Sequence, residues 1–306
     1  MSADTAPLRI VAPASGSPSA PAAAAGLGPS ILMVVGSCVS LQFGSAFATM
    51  IFPALGTWGT TALRLSIAAL VLLAVCRPNL RAWTRSQWAA VLCFGAALAG
   101  MNGFFYAAIA RIPIGIAVCI EFLGPLALAA VLSRRWKDTV WTGLALAGIG
   151  LFFVDDLVGD QPLDRLGVLC VLVAAGFWAL YILTSERVGR LVPGTGGLAG
   201  ALAVGAVLML PFGAQTVPPI VAQPGLLVPA LATAALASLI PYSLEFAALR
   251  RLPKPVFGVL LSLEPVVASF AGLLLLGQGI TALGACAIAL VVLASAGSTL
   301  SARRRR

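Results

Sequence analysis

The chain has no histidine among its 306 residues, so imidazole can serve neither as a metal ligand nor as a proton carrier. Charge is also scarce: 9% of residues are charged against 60% apolar. A soluble chain of this length needs far more charge to cover its surface. Lysine occurs only at Lys137 and Lys254, and no GxxxxGK[ST] stretch is present, which argues against ATP as a direct energy source. The six cysteines (38, 76, 93, 119, 170 and 286) never form a CxxC pair. Each stands alone in an apolar stretch, as expected of a small buried hydrophobe. No cofactor and no metal site is expected from this inventory. Residues 1–28 are rich in Ala, Pro, Ser and Gly, and their prolines interrupt any signal-peptide core. A disordered cytoplasmic tail is expected there.

What the chain does contain is hydrocarbon. Runs of about 17–24 apolar residues recur, each long enough to cross roughly 30 Å of bilayer core. Charged and Pro/Gly breaks divide them into ten spans, near 31–52, 57–76, 87–109, 113–133, 139–154, 166–186, 196–213, 226–249, 255–277 and 279–300. With the N-terminus in the cytoplasm, sixteen of the nineteen Lys and Arg residues fall in inner loops or tails. Only Arg111 and Arg165 fall outside, Arg64 lies within a span, and the loop around 155–165 is acidic (Asp155, Asp156, Asp160, Asp164). Basic residues in short cytoplasmic loops orient membrane helices, so the net charge of +9 is not a nucleic-acid footprint. Both termini are expected in the cytoplasm.

Sliding the chain by 140 residues lays YAAIARIPIGIAVCIEFLGP (106–125) over FAALRRLPKPVFGVLLSLEP (246–265). Pro113 then meets Pro253, Arg111 meets Arg251, Pro125 meets Pro265, and Gly36 meets Gly176. Each half holds five spans, an odd number, so the halves must face opposite ways across the membrane. The expected fold is an all-α membrane protein of ten transmembrane helices in two inverted five-helix repeats, 29–156 and 157–300, with a basic tail at 301–306. Such repeats build transporters, with substrate held near the midplane beside interrupted helices.

The costly residues inside the spans mark the candidate site. Pro125 and Pro265 are helix breaks, since proline frees a carbonyl one turn earlier and bends the helix. Glu264 stands beside one break and Glu121 one turn before the other. A buried carboxylate costs on the order of 3 kcal/mol even on lenient insertion scales. Arg64, Glu121 and Asn102 lie at similar depth, and an arginine there calls for an anion. Pairing of Arg64 with Glu121 is expected in the empty state and with a substrate carboxylate in the loaded one. Glu245 and Tyr242 lie nearer the inner end of the eighth span, and Trp178 and Tyr181 are candidates for cavity wall. GLALAGIG (143–150) suits close helix packing, within the chain or across a homodimer.

TALRLSIA (61–68), MNGFFY (101–106), IGIAVCIEFLGPLA (114–127), IPYSLEFAALRRLP (240–253) and LLSLEPVVAS (260–269) carry a resemblance. Together they resemble the threonine/homoserine exporter (RhtA-type) branch of the EamA, drug/metabolite transporter superfamily, over about residues 30–300. The resemblance implies export of small amino acids from the bacterial cytoplasm, driven by the proton gradient across the inner membrane. Carried onto matching positions, it points to Arg64, Asn102, Glu121, Tyr242 and Glu245 for substrate, and to Glu264 and Glu121 for protons. The chain departs from relatives at Thr49, where a lysine is common. The implied partners are a small amino acid, protons and the lipid bilayer, without nucleic acid or ATP, in a monomer or homodimer. A drug or broad metabolite exporter of the same superfamily is the alternative. An intramembrane enzyme would need a nucleophile–base pair or a metal cluster, for which the chain has neither histidine nor clustered cysteine.

Overall fold

The computed structural model describes residues 20–132, 136–158, 163–192, 194–249, 251–252 and 254–303. No strand occurs among them. Among the described residues nine helices are long and apolar enough to cross a bilayer: Gly28–Thr49, Thr57–Cys76, Arg85–Ile109, Ile114–Leu132, Arg165–Leu191, Gly196–Ala222, Pro224–Glu245, Val256–Leu276 and Ala282–Ser301. A shorter apolar helix, Thr139–Asp155, stands between the fourth and fifth of these. The protein is thus an all-α, multi-pass membrane protein, and the ten are called the first to tenth spans in chain order.

Boundaries differ from the sequence reading where local chemistry is quiet. The first helix begins at Ala20, inside the stretch expected to be a tail; residues 1–19 lie outside the described residues. The seventh span does not stop at Gly213 but continues through a 3-10 turn (Ala214–Thr216) to Ala222. Where capping chemistry is explicit, ends agree closely. Thr84 accepts a bond from the Gln87 amide while Gln87 Oε1 accepts from Thr84 N, closing a capping box on the third span. Gln87 Nε2 also donates to Leu191 O at 2.8 Å, tying the ends of the third and sixth spans. Asp164 caps the sixth span, accepting from Gly167 N and Leu166 N, and meets Arg111 at 3.2 Å. Those backbone bonds first, and Arg111 second, hold its carboxyl below the ordinary aspartate range.

Two spans are broken, and at matching places. The fourth is helical over Ile114–Glu121, interrupted at Phe122, and resumes over Leu123–Leu132. The ninth is helical over Lys254–Leu261, interrupted at Ser262 and Leu263, and resumes over Glu264–Leu276. The cause is the same in both. Pro125 has no N–H for the carbonyl of Glu121, and Pro265 has none for that of Leu261. Near the second break the turn tightens, with Ser262 N bonding Val259 O and Leu263 N bonding Leu260 O.

The helices pack in related pairs. The second packs on the seventh, the fifth on the tenth, and the fourth on the ninth. The third meets the sixth as the eighth meets the first; the fourth meets the sixth as the ninth meets the first. Exchanging each span for the one five places along leaves this pattern unchanged. Small residues allow the closest approaches. A Cβ at Gly44 would lie 2.7 Å from Ala237 N, so the first span can lie directly on the backbone of the eighth. Of the glycines in GLALAGIG, Gly148 meets a neighbour closely, Ala287 O of the tenth span, while Gly143 and Gly150 face open space.

Large apolar side chains such as Val75, Val131 and Leu274 stand exposed on the outward faces, as lipid-facing residues do. The cysteines divide differently from expectation: Cys38 and Cys119 are buried, but Cys93 and Cys286 are exposed. A thiol behaves as a small hydrophobe, and a bilayer satisfies it as well as a protein core does.

Candidate functional site

A cavity of about 410 Å³ opens among the spans, within the usual size range for small-ligand pockets. Its walls include Arg64, Asn102, Glu121, Pro125, Tyr242, Glu245 and Glu264, drawn from five different spans. Every candidate substrate or proton residue of the sequence reading therefore faces one chamber, and so do Trp178 and Tyr181. Pro265 is buried one residue past Glu264, behind the wall. Thr49 stands at the end of the first span with its hydroxyl on Ala46 O, apart from this group.

Arg64 is 2% exposed and firmly held, but its partners differ from the one expected. One terminal nitrogen donates to Asn102 Oδ1 and the other to Ala237 O at 3.1 Å. Its guanidinium carbon also sits 4.6 Å from the centre of the Tyr106 ring, a cation–π contact. No ion pair joins it to Glu121 among the described residues. The reason lies on the eighth span. Pro241 cannot donate to the carbonyl of Ala237, four residues back, and the helix widens into a π-turn over Ala235–Leu239. The carbonyl so released takes the guanidinium. Asn102 is turned toward it by its own bond from Nδ2 to Leu98 O at 2.7 Å.

The three carboxylates are less constrained. Ser37 donates to Glu245 Oε1 at 2.6 Å, which holds that side chain against the first span. Glu121 and Glu264 are 9% and 7% exposed and make no hydrogen bond to a described residue. The chamber thus offers one guanidinium, already oriented, and two carboxylates free to take a cationic partner.

The fourth and ninth spans close on each other at one end of the chamber. Toward the Gly115 end of the fourth span, a Cβ on Gly115 would lie 3.0 Å from Ser269 Cα, and Ile114 N donates to Gln278 Oε1 at 3.0 Å. Toward the opposite ends of the spans, the wall continues through Ser185, Glu245, Phe257 and Thr299. The packing between the fourth and ninth spans joins Ile114–Glu121 to Glu264–Leu276.

Sequence reasoning missed several members. Pro241 was visible as a further proline inside a span, within IPYSLEF. Tyr106 likewise closed the quoted MNGFFY. Gln42, Ser37, Ser45 and Ser185 carried weaker signals, each a polar residue in an apolar run.

Residues 165–300 match the EamA-like transporter family. The threonine/homoserine exporter RhtA of Salmonella typhimurium (strain SL1344) is 38% identical over 275 residues, covering 90% of this chain and 92% of that one. The exporter of the same name from Escherichia coli (strain K12) is 38% identical over 277 residues, with the same shares of each chain covered. The chain belongs to the RhtA-type branch of the EamA-like transporters. A solved crystal structure of a protein shares the fold, with a TM-score of 0.57 and 21% identity over 90% of this chain and 97% of the other. EamA-type proteins of this branch are transporters, not enzymes.

Proposed function

We propose that this chain exports small zwitterionic amino acids, threonine and homoserine among them, from the bacterial cytoplasm in exchange for protons. The observation that carries the reading is the pairing, in one chamber, of an oriented guanidinium with two unpartnered carboxylates. An amino acid presents a carboxylate and an ammonium on one carbon, so it answers both signs at once. In this reading Arg64 takes the substrate carboxylate, held in place by Asn102 and Ala237 O. Glu121 faces the ammonium, Tyr242 and Glu245 line the approach, and Glu264 exchanges the proton.

The packing pattern and the matched breaks support two inverted five-helix repeats related by exchange of the halves. The excess of basic residues supports an orientation with both termini in the cytoplasm. The chamber then faces inward, and the contact of Gly115 with Ser269 seals the outer face. A cysteine placed at Gly279, in the exposed turn after the ninth span, in a cysteine-free background tests the orientation. It is expected to react with an impermeant maleimide in intact cells; labelling only after permeabilisation reverses the topology.

The transport reading is tested with inverted membrane vesicles supplied with labelled threonine or homoserine. Accumulation is expected when the lumen is acid, and it should collapse with a protonophore. Absence of accumulation by a well-expressed protein, with or without the gradient, would sink the reading.

A further inference from the structure

Gln42 is a polar side chain of the chamber that the roles above leave unused. It lies on the first span, 3% exposed, and its Oε1 is buried without a hydrogen-bond partner. It nevertheless forms part of the chamber wall. An unpaired buried acceptor costs about 1–3 kcal/mol, a cost removed when a ligand supplies the missing donor. Its level in the membrane is also informative. Gln42 is seven residues before Thr49, Arg64 seven after Thr57, Asn102 seven before Ile109, and Glu121 seven after Ile114. At 1.5 Å per residue, all four stand about 10 Å from the same end of their spans.

Four helices therefore bring a guanidinium, the amide that orients it, a free carboxylate and a free amide to one depth. On the substrate reading above, which this inference extends, Arg64 and Glu121 engage the two charged groups of the α-carbon. One substituent remains, the side chain. Phe105 and Phe122 offer it only apolar surface. A carboxamide both accepts and donates, which matches a hydroxyl. We propose that Gln42 recognises the side-chain hydroxyl of the substrate and is the residue by which the chamber separates hydroxy amino acids from apolar ones of equal size. An apolar pocket rejects an isostere poorly, whereas a site that loses a hydrogen bond rejects it strongly. Threonine and valine differ in this one respect, a hydroxyl against a methyl.

The test uses purified full-length protein and the concentration dependence of its melting temperature with threonine, homoserine or valine, which gives an affinity even for poor binders. Wild type is expected to favour threonine over valine by roughly tenfold or more. Gln42→Leu, similar in bulk and apolar, is expected to bring the two within about threefold, chiefly by weakening threonine. Gln42→Asn keeps the amide on a shorter arm, so discrimination should survive with preference moved toward homoserine, whose hydroxyl extends one carbon further. An unchanged threonine-to-valine ratio in Gln42→Leu overturns the proposal, as does equal weakening of both ligands, the mark of a structural residue. Should Gln42→Leu not fold, Gln42→Asn decides: an unmoved homoserine preference overturns the proposal. Wild-type protein that binds none of the three overturns the amino-acid reading itself, a failure separate from that of Gln42.

Discussion

Arg64→Leu is expected to reduce threonine export at least a hundredfold in a protein that still reaches the membrane. Leucine removes the cation that answers the substrate carboxylate, and it also strands Ala237 O and Asn102 Oδ1, both now occupied by the guanidinium. Truncating one member of a buried, hydrogen-bonded charge pair costs about 2–5 kcal/mol, the upper end of which exceeds two powers of ten in affinity. Arg64→Lys separates charge from geometry. An ammonium cannot reach Asn102, Ala237 O and a carboxylate with the same planar fork, nor lie as flat on Tyr106. Lysine should therefore restore part of the activity and no more. Initial rates in inverted vesicles, normalised to protein in the membrane, give the comparison; normal export by Arg64→Leu would remove this residue from the mechanism.

Glu264→Gln is expected to abolish accumulation against a gradient while leaving exchange of internal for external threonine largely intact. Glu264 is almost fully buried beside the break of the ninth span and has no hydrogen-bond partner among the described residues. An ionised carboxylate so placed needs a counter-charge, and a proton is the smallest that can be picked up and released. Glutamine keeps the size and much of the polarity but cannot carry that proton between faces. Glu121→Gln is the control, because Glu121 also lacks a partner and lies in the same chamber. It is expected to weaken substrate binding, with the pH dependence of transport retained. If Glu264→Gln accumulates threonine with an unaltered pH profile, Glu264 is a structural residue and coupling lies elsewhere.

The site was legible in the sequence to the extent that its causes are local. A proline breaks the helix within one turn of itself, so Pro125 and Pro265 announced the breaks of the fourth and ninth spans. A charge inside an apolar run is conspicuous wherever it sits, so Arg64, Glu121 and Glu264 stood out. One acceptor of Arg64 did not, because it is a backbone carbonyl 173 residues away, released by a proline on another span. No side-chain inventory contains such an acceptor. Gln42 is the sole amide side chain of the first span, yet its meaning depends on the unpaired state of its oxygen, which only the assembled walls reveal. Span ends showed the same division: capped ends were readable, whereas the seventh span ran on through residues that carry no stop signal.

The seam between Gly115 and Ser269 has a consequence for how readily the two sides come apart. Ser269 spends its hydroxyl on Pro265 O within its own helix, at 2.8 Å, and Gly115 has no side chain to commit. Across the junction the Gln278 amide bond to Ile114 N joins the fourth span to the turn that follows the ninth. That donor belongs to a helix's first turn, where water serves equally well as an acceptor. Separation would therefore strand no polar group, and its cost is the dispersion contact and apolar burial of the side chains packed there, Ile114, Ala117, Ala268 and Ala271 among them. The junction works as a dry seam whose opening costs apolar contact but no hydrogen bond that water cannot replace.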